Sequence, residues 1–168
     1  MASKSKEFVL GLDIGYSNLK MAFGIKGESL KTLIKPIGAA PMSLMPQTIG
    51  GGHDAGIVQV MVDGEQWAAC VEPGRIQGWE RELHEDYPST NQYKALFYAA
   101  LALCEREEID VLVTGLPVSQ FKDQAFRERL KEQMTGDHQI AKSTVIKVKN
   151  VIVVPPPTGA YIDITSSN

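Results

Sequence analysis

The segment that most constrains this chain lies near its start, where the residues from Glu7 to Ile14 are almost continuously apolar. Such a run predicts a β-strand that is buried on both faces, as in a sheet covered by other elements. The strand carries Asp13 to its end and is followed by Gly15, which permits a tight turn. We therefore expect a strand whose C-terminal end presents a carboxylate beside a sharp reversal of the chain.

Further strands place this segment in a mixed sheet. Strands are indicated at about residues 19–25 and 30–34, and short connections predict an antiparallel meander of the first three strands. A later apolar strand, at about 109–114, lies between two helical patterns and is expected to pair in parallel. Two short strands are indicated at 144–148 and 151–154. The pattern predicts the α/β class, with a mixed sheet and flanking helices.

Two helices are expected from apolar residues at helical spacing. The first starts at Ser89, which forms a capping box with Gln92. Its inward residues are expected to be Tyr93, Leu96, Phe97, Ala100, Leu101 and Cys104. The second starts near Ser119 and is expected to end at Gly136. Its inward residues are expected to be Phe121, Ala125, Phe126 and Leu130.

The residues between the third strand and the first helix have a different character. Residues 37–55 are rich in Gly, Pro and Met and are interpreted as an irregular loop. Alternating residues at 58–62 and a returning strand at 65–71 flank Asp63 and Gly64. This arrangement predicts a β-hairpin in which Asp63 is a turn residue and not a site carboxylate.

Composition excludes several classes of function. The net charge of −3 gives no global positive field that would draw the chain to nucleic acid or to an anionic membrane. Cys70 and Cys104 are far apart and are expected to be reduced thiols of a cytoplasmic protein. The start is short and polar, unlike a signal peptide, and no apolar run approaches the roughly 20 residues of a membrane span. His138 is expected at the surface.

The turn after the first strand has the residue types that bind polyphosphate. Backbone N–H groups in a tight turn at Gly15 can point at phosphate oxygens. The Ser17 hydroxyl and the Asn18 amide can add hydrogen bonds, and Lys20 can supply a positive charge. Asp13 suits Mg²⁺ through a metal-bound water, because Mg²⁺ keeps most of its waters.

A plain hairpin turn is the alternative interpretation of the same residues, and the motif alone leaves it open. Asp-x-Gly is common turn chemistry. The chain contains neither the GxxxxGK[ST] pattern of a P-loop nor a GxGxxG segment that opens a helix.

Three stretches resemble one protein family. Residues 11–24, GLDIGYSNLKMAFG, resemble the first phosphate loop of the actin and sugar-kinase superfamily, and above all that of bacterial and plasmid actins. Residues 110–121, DVLVTGLPVSQF, resemble the strand-to-helix passage of actin-like N-terminal domains of the ParM type. Residues 87–96, YPSTNQYKAL, resemble the start of their first helix. The stretches span nearly the whole chain in the family's order, so the chain resembles the N-terminal half of an actin-like plasmid-segregation ATPase.

This resemblance implies a fold and a division of the chain. It implies a ribonuclease-H-like core formed by residues 1–36 and 89–168, with residues 37–88 as a small inserted β subdomain. It also implies ATP bound between two halves. Only one Asp-x-Gly ends an apolar strand here, so the second half of the fold is expected to be absent from this chain.

The resemblance also implies roles for the loop and for the intact protein. Asp13 would approach Mg²⁺, and Lys20 would reach the phosphates of ATP. The residues that would line the phosphates are Gly15, Tyr16, Ser17 and Asn18. The intact protein would associate with itself into filaments and work with a plasmid-encoded DNA-binding adaptor.

One departure from the family concerns hydrolysis. The family commonly reads Pro-Gln-Pro-x-Gly-Ala after its fifth strand, and the Gln, or a Glu, positions the attacking water. Residues 155–160 read PPPTGA here, so Pro156 occupies the position of that side chain. We assign no catalytic residue and expect the chain alone to be inactive in ATP hydrolysis.

Two other functions remain as alternatives. A small-molecule kinase of the same superfamily would share the loop, but it needs an acidic base at its substrate, and the sequence offers no obvious candidate. A non-catalytic assembly module is the other alternative, because one half of a cleft is expected to bind ATP weakly or not at all.

Overall fold

The protein is described by a computed structural model that covers residues 6–45, 56–76, 87–116 and 118–155. The strands are β1 (Phe8–Ile14), β2 (Asn18–Ile25), β3 (Lys31–Pro36), β4 (Gly38–Pro41), β5 (Val58–Val62), β6 (Glu65–Val71), β7 (Glu108–Gly115), β8 (Gly136–Ala141) and β9 (Thr144–Val154). The α-helices are α1 (Asn91–Leu103), α2 (Val118–Phe121) and α3 (Gln124–Met134). Short 3₁₀ turns occupy Met42–Leu44, Pro73–Arg75 and Tyr87–Ser89.

The larger sheet has six strands in the order β3-β2-β1-β7-β9-β8. β1 pairs antiparallel with β2, and β2 pairs antiparallel with β3, so the predicted meander is confirmed. β1 runs parallel to β7, and β7 runs parallel to β9. The mixed sheet predicted from the sequence is therefore confirmed. Because β1, β7 and β9 are parallel, their C-terminal ends meet at one edge, which is where open α/β sheets bind ligands.

The smaller sheet has three strands in the order β4-β6-β5. The predicted hairpin is confirmed, because Val62 pairs with Glu65 and both turn residues have positive φ, 50° at Asp63 and 82° at Gly64. Positive φ at two successive positions is the requirement of a type I′ turn. The turn role of Asp63 is thereby confirmed.

β4 corrects the sequence analysis, which interpreted residues 37–55 as an irregular loop. Gly38–Pro41 pairs antiparallel with β6 instead. The sequence Gly-Ala-Ala-Pro lacks the β-branched and aromatic residues that signal a strand. Glycine is needed at position 38, because a Cβ there would lie 2.2 Å from the carbonyl oxygen of Val71. Residues 46–55 lie outside the described part of the chain.

Helix α1 lies between the two sheets. It contacts the three strands of the smaller sheet on one side and β1 and β8 on the other. Burial therefore extends around the helix and includes Ala95, Tyr98 and Ala99 as well as the predicted face. The predicted cap is wrong by one residue, because Thr90 is the N-cap and its side chain accepts a hydrogen bond from the Tyr93 N–H group at 3.2 Å.

The second predicted helix is two helices. α2 ends at Phe121, and α3 begins after Asp123, whose carboxylate accepts a hydrogen bond from the Phe126 N–H group at 3.2 Å. Phe126 and Leu130 face inward as predicted. Ala125 is exposed, so that prediction is wrong: α3 starts at Gln124 and turns Ala125 away from the core. Gly136, with φ of 106°, ends the helical region and begins β8.

β8 and β9 form an antiparallel hairpin that the sequence analysis divided differently. β9 is one continuous strand, and β8 was missed because Gly-Asp-His-Gln-Ile-Ala is mostly polar. His138 and Ile140 are the two residues of β8 that face the core. The expectation that His138 lies at the surface is therefore wrong, since only 7% of it is exposed.

Both cysteines are free thiols, as predicted, and both are buried. Burial raises the pKa of Cys70 to about 11 and the pKa of Cys104 to about 12, so both remain protonated near neutral pH. Within the described ranges, no helix has the length and apolar character needed to cross a membrane.

Candidate functional site

The candidate loop is the connection between β1 and β2. Ile14 pairs with Leu19 at the last position of the ladder, and Asp13 pairs with Lys20 one position earlier. Beyond them, the Gly15 N–H group donates a hydrogen bond to the Asn18 carbonyl oxygen at 3.0 Å. We call residues 15–18 the β1–β2 loop. Asp13 and Lys20 are therefore cross-strand neighbours directly below this loop.

Exposure alternates through the site. Ile14 and Leu19 are buried and anchor the hairpin in the core, where they are 8% and 0% exposed. The side chains that were predicted to meet a ligand are exposed: Asp13, Tyr16, Ser17, Asn18 and Lys20. The hairpin thus fixes its backbone by apolar burial and presents its polar groups outward.

Gly15 plays a different part from the one inferred from the sequence. Gly15 was expected to permit a tight turn, but it is not among the described residues with positive φ. A Cβ at this position would meet the Asn18 carbonyl oxygen at 3.4 Å, which is a tolerable contact. The backbone conformation therefore does not demand glycine here. What glycine provides is a loop surface without a side chain.

The loop stands at the edge where the parallel strands end. Leu12 of β1 pairs with Thr114 of β7, and Thr114 pairs with Val153 of β9. The strands stay in register to the end, since the Leu116 N–H group donates to the Val154 carbonyl oxygen at 3.1 Å. Pro156, the residue tied to hydrolysis by resemblance, lies outside the described residues.

A buried hydroxyl joins two of these strand ends. The Thr114 hydroxyl donates to the Leu12 carbonyl oxygen at 2.8 Å, and Thr114 is 1% exposed. A buried polar group of this kind is costly unless it is hydrogen-bonded. This bond fixes the residue directly before Asp13 against β7.

Three tyrosines lie beside the loop, and we call them the tyrosine cluster: Tyr16, Tyr87 and Tyr93. The Tyr16 and Tyr87 ring centroids are 5.2 Å apart, and those of Tyr87 and Tyr93 are 5.3 Å apart with the rings edge to face. The Tyr87 hydroxyl donates to the Gly15 carbonyl oxygen at 3.4 Å. The cluster connects the loop to the start of α1.

Tyr93 stays protonated in this setting. Burial raises the pKa of its hydroxyl, and the nearby charge of Asp13 raises it further, while a hydrogen bond with Thr114 opposes the rise. Thr114 in turn donates to the Leu12 carbonyl oxygen, so Tyr93 lies beside the buried Thr114–Leu12 hydrogen bond.

The structure brings all the predicted loop residues together, and their ligand role stays a prediction. It also adds Tyr87, Tyr93 and Thr114, which sequence reasoning missed as site residues. Tyr93 and Thr114 were interpreted as core residues, and the hydroxyl of each was the only hint of another role. Among the described residues, no group of three or more His, Cys, Asp or Glu side chains could hold a metal ion.

The comparisons with solved structures agree on the fold. The apo psk41 ParM protein matches with a TM-score of 0.67 at 18% identity, covering 98% of this chain and 54% of that chain. A 15-stranded ParM filament from Clostridium botulinum matches with a TM-score of 0.62 at 17% identity, covering 97% and 52%. Bacillus thuringiensis ParM with AMPPNP matches with a TM-score of 0.56 at 14% identity, covering 89% and 45%.

The chain thus spans about half the length of each of these structures. No curated protein sequence matches it significantly. The actin-like fold predicted from the sequence is confirmed. Residues 11–159 match the family model described as the N-terminal domain of actin-like proteins, and the chain therefore belongs to that family.

Proposed function

We propose that the chain is the N-terminal half of an actin-like, ATP-binding protein that forms filaments and acts in plasmid partition. The observation that carries the proposal is the β1–β2 loop, which stands at the C-terminal edge of the parallel strands with Asp13 and Lys20 paired beneath it. Family membership adds support, because the matching model is an N-terminal domain of actin-like proteins.

The loop residues fit the phosphates of a nucleotide. The Gly15 surface lacks a side chain, so phosphate oxygens can approach the backbone N–H groups of the loop. Ser17 and Asn18 supply exposed hydrogen-bonding side chains, and Lys20 supplies an exposed positive charge. In this proposal, residues 15–18 line the phosphates and Lys20 reaches them from the neighbouring strand.

Asp13 fits Mg²⁺ as a single carboxylate. Mg²⁺ commonly binds one or two carboxylates, nucleotide phosphates and several waters. When bound, the ion neutralises part of the charge of the polyphosphate. Asp13 is exposed and its backbone is held through the Leu12–Thr114 hydrogen bond, so its carboxylate is presented from a fixed position. The proposed role of Asp13 is to orient a metal-bound water.

The proposed division of the chain follows the two sheets. Residues 1–36 and 89–168 form the core subdomain in this proposal, and residues 37–88 form the inserted small subdomain. The smaller sheet is built from strands between Gly38 and Val71, and helix α1 separates it from β1. The second half of the nucleotide cleft would come from a further part of the intact protein, as the half-length coverage of the matched structures suggests.

Filament formation and partition rest on the family. One matched structure is a 15-stranded ParM filament, and another is a ParM protein with AMPPNP. For the intact protein we propose ATP-dependent self-association in the cytoplasm and a plasmid-encoded DNA-binding adaptor. Hydrolysis is left without an assigned residue, since Pro156 replaces the usual side chain and lies outside the described residues.

The test is ATP-dependent assembly of the natural full-length protein, measured by light scattering and sedimentation. We expect assembly with Mg·ATP and none without nucleotide. Absence of assembly with ATP over a broad concentration range would refute the filament proposal. ATP consumption that depends on an added sugar would instead favour the small-molecule kinase.

A further inference from the structure

The tyrosine cluster brings together residues that are distant in the sequence. Tyr87 is the central member, because its ring lies against Tyr16 at 5.2 Å and against Tyr93 at 5.3 Å. Tyr93 is 3% exposed and belongs to the first turn of α1, whereas Tyr16 is 38% exposed and belongs to the loop. The ring of Tyr87 thus joins an exposed loop to a buried helix.

Tyr87 is itself held from two directions. Its carbonyl oxygen accepts hydrogen bonds from the Thr90 hydroxyl at 2.7 Å and from the Thr90 N–H group at 3.0 Å. The next carbonyl oxygen, that of Pro88, accepts a hydrogen bond from the Gln133 side chain of α3 at 2.8 Å. The backbone that carries Tyr87 is therefore tied to the caps and ends of two helices.

The β1–β2 loop is held by a backbone hydrogen bond and by contacts with Tyr87. Within the loop, the Gly15 N–H group donates to Asn18. The hydroxyl of Tyr87 adds a hydrogen bond to the Gly15 carbonyl oxygen, and its ring packs on Tyr16. A short loop that is ordered before binding loses less conformational freedom when a ligand arrives, and this raises affinity.

We propose, on the basis of the proposed phosphate-binding function, that Tyr87 is a positioning residue that holds the β1–β2 loop in the conformation that receives a polyphosphate. Tyr87 acts through Gly15 and Tyr16 and does not itself contact the ligand. Its hydroxyl orients the Gly15 peptide, and its ring holds Tyr16 outward. The chemistry recognised is that of a nucleotide's phosphate groups, not of its base or ribose.

The test compares three variants of the natural full-length protein by titration calorimetry with Mg·ATP and with adenosine. Tyr87→Phe removes the hydroxyl and keeps the ring, while Tyr87→Leu removes both interactions. Tyr98→Phe is the matched control, because Tyr98 is a buried tyrosine of α1 whose ring lies 5.7 Å from Lys94 and outside the cluster. Adenosine distinguishes an effect on phosphate binding from an effect on binding of the base and ribose, since it lacks the phosphates that the loop would bind.

We expect Tyr87→Phe to weaken Mg·ATP binding about 3- to 10-fold, the range of one modest hydrogen bond, and Tyr87→Leu to weaken it further. Adenosine binding should be unchanged in both, and Tyr98→Phe should bind both ligands like the wild type. In the nucleotide-free protein, amide NMR shifts of residues 15–18 should change in Tyr87→Phe and not in Tyr98→Phe.

The outcomes separate this inference from the function on which it rests. Wild-type affinity for Mg·ATP in Tyr87→Phe, or an equal loss of adenosine and ATP binding, would overturn the positioning role and leave the proposed function standing. A wild-type protein that binds no Mg·ATP would overturn both. Loop amide shifts that are identical in Tyr87→Phe and wild type would also overturn the positioning role.

Discussion

Two tight hairpin turns of this chain use similar residues in different surroundings. The β1–β2 loop follows Asp13 and contains Gly15, while the β5–β6 turn consists of Asp63 and Gly64. Both aspartates are exposed. Asp13 is opposite Lys20 in the backbone register of β1 and β2, whereas Asp63 forms an ion pair with Lys94 at 3.1 Å.

The backbone separates the two turns. Asp63 and Gly64 both have positive φ, so the β5–β6 connection depends on residues that tolerate this conformation. None of residues 15–18 is among the described residues with positive φ; Tyr87 contacts the loop, and Thr114 holds Leu12 of the preceding strand. The residues of the β5–β6 turn have the backbone conformation that a hairpin turn requires. The β1–β2 loop is contacted in addition by Tyr87, which a hairpin turn does not require. We infer that this additional contact serves the binding of a ligand.

Replacement of the turn glycines by alanine is expected to affect stability more than acidification does. Gly64→Ala should lower the free energy of unfolding by about 1 kcal/mol, because alanine is strained at a φ of 82°. Gly15→Ala should change it by less than about 0.5 kcal/mol, because its φ is ordinary and the nearest contact is 3.4 Å. Urea unfolding of both variants measures this difference. An equal loss in the two variants would remove the distinction between the turns.

Acidification is expected to have a smaller effect on stability, through the buried His138 of β8. His138 is buried among Phe97 and Tyr98, and its ring contacts the Met134 carbonyl oxygen at 2.6 Å. Burial lowers the pKa of His138 and outweighs the contact with the Met134 carbonyl oxygen, which raises it; the charge of Lys94 lowers the pKa further and that of Asp137 raises it.

The unfolded chain therefore binds this proton more tightly than the folded protein does. The stability that neutral His138 provides is present above pH 6.5 and is lost as the pH falls from 6.5 towards the lowered pKa. Urea unfolding between pH 7.5 and 5 should show this decline. His138→Gln should reduce the slope of the free energy of unfolding against pH. An unchanged slope in His138→Gln would contradict the assignment.

Local patterns predicted much of the sheet and the loop. The apolar run that became β1 and the alternation around Asp63-Gly64 are local signals, and they predicted strands that the structure confirms. β4 and β8 were missed because Gly-Ala-Ala-Pro and Gly-Asp-His-Gln carry no strand signal of their own. They become strands through pairing with β6 and β9.

Local sequence patterns could not predict which residues surround the β1–β2 loop. Tyr87 lies 72 positions from Gly15, and Thr114 lies 102 positions from Leu12. These contacts exist only because parallel pairing brings β7 beside β1 and because the turn that precedes α1 lies beside the loop. Residues 15–18 could be identified as candidate site residues because they lie in one contiguous segment. The residues that hold them come together only in the tertiary fold.

The most direct test of the account measures Mg·ATP binding by titration calorimetry to three forms of the natural full-length protein: wild type, Asp13→Ala and Asp63→Ala. Both substitutions remove an exposed aspartate beside a hairpin turn, so Asp63→Ala controls for the loss of one negative charge. We expect Asp13→Ala to weaken binding at least about 10-fold, which corresponds to about 1.4 kcal/mol, and Asp63→Ala to bind like the wild type. Equal affinities of Asp13→Ala and the wild type would contradict the assignment of the β1–β2 loop as the nucleotide-phosphate site.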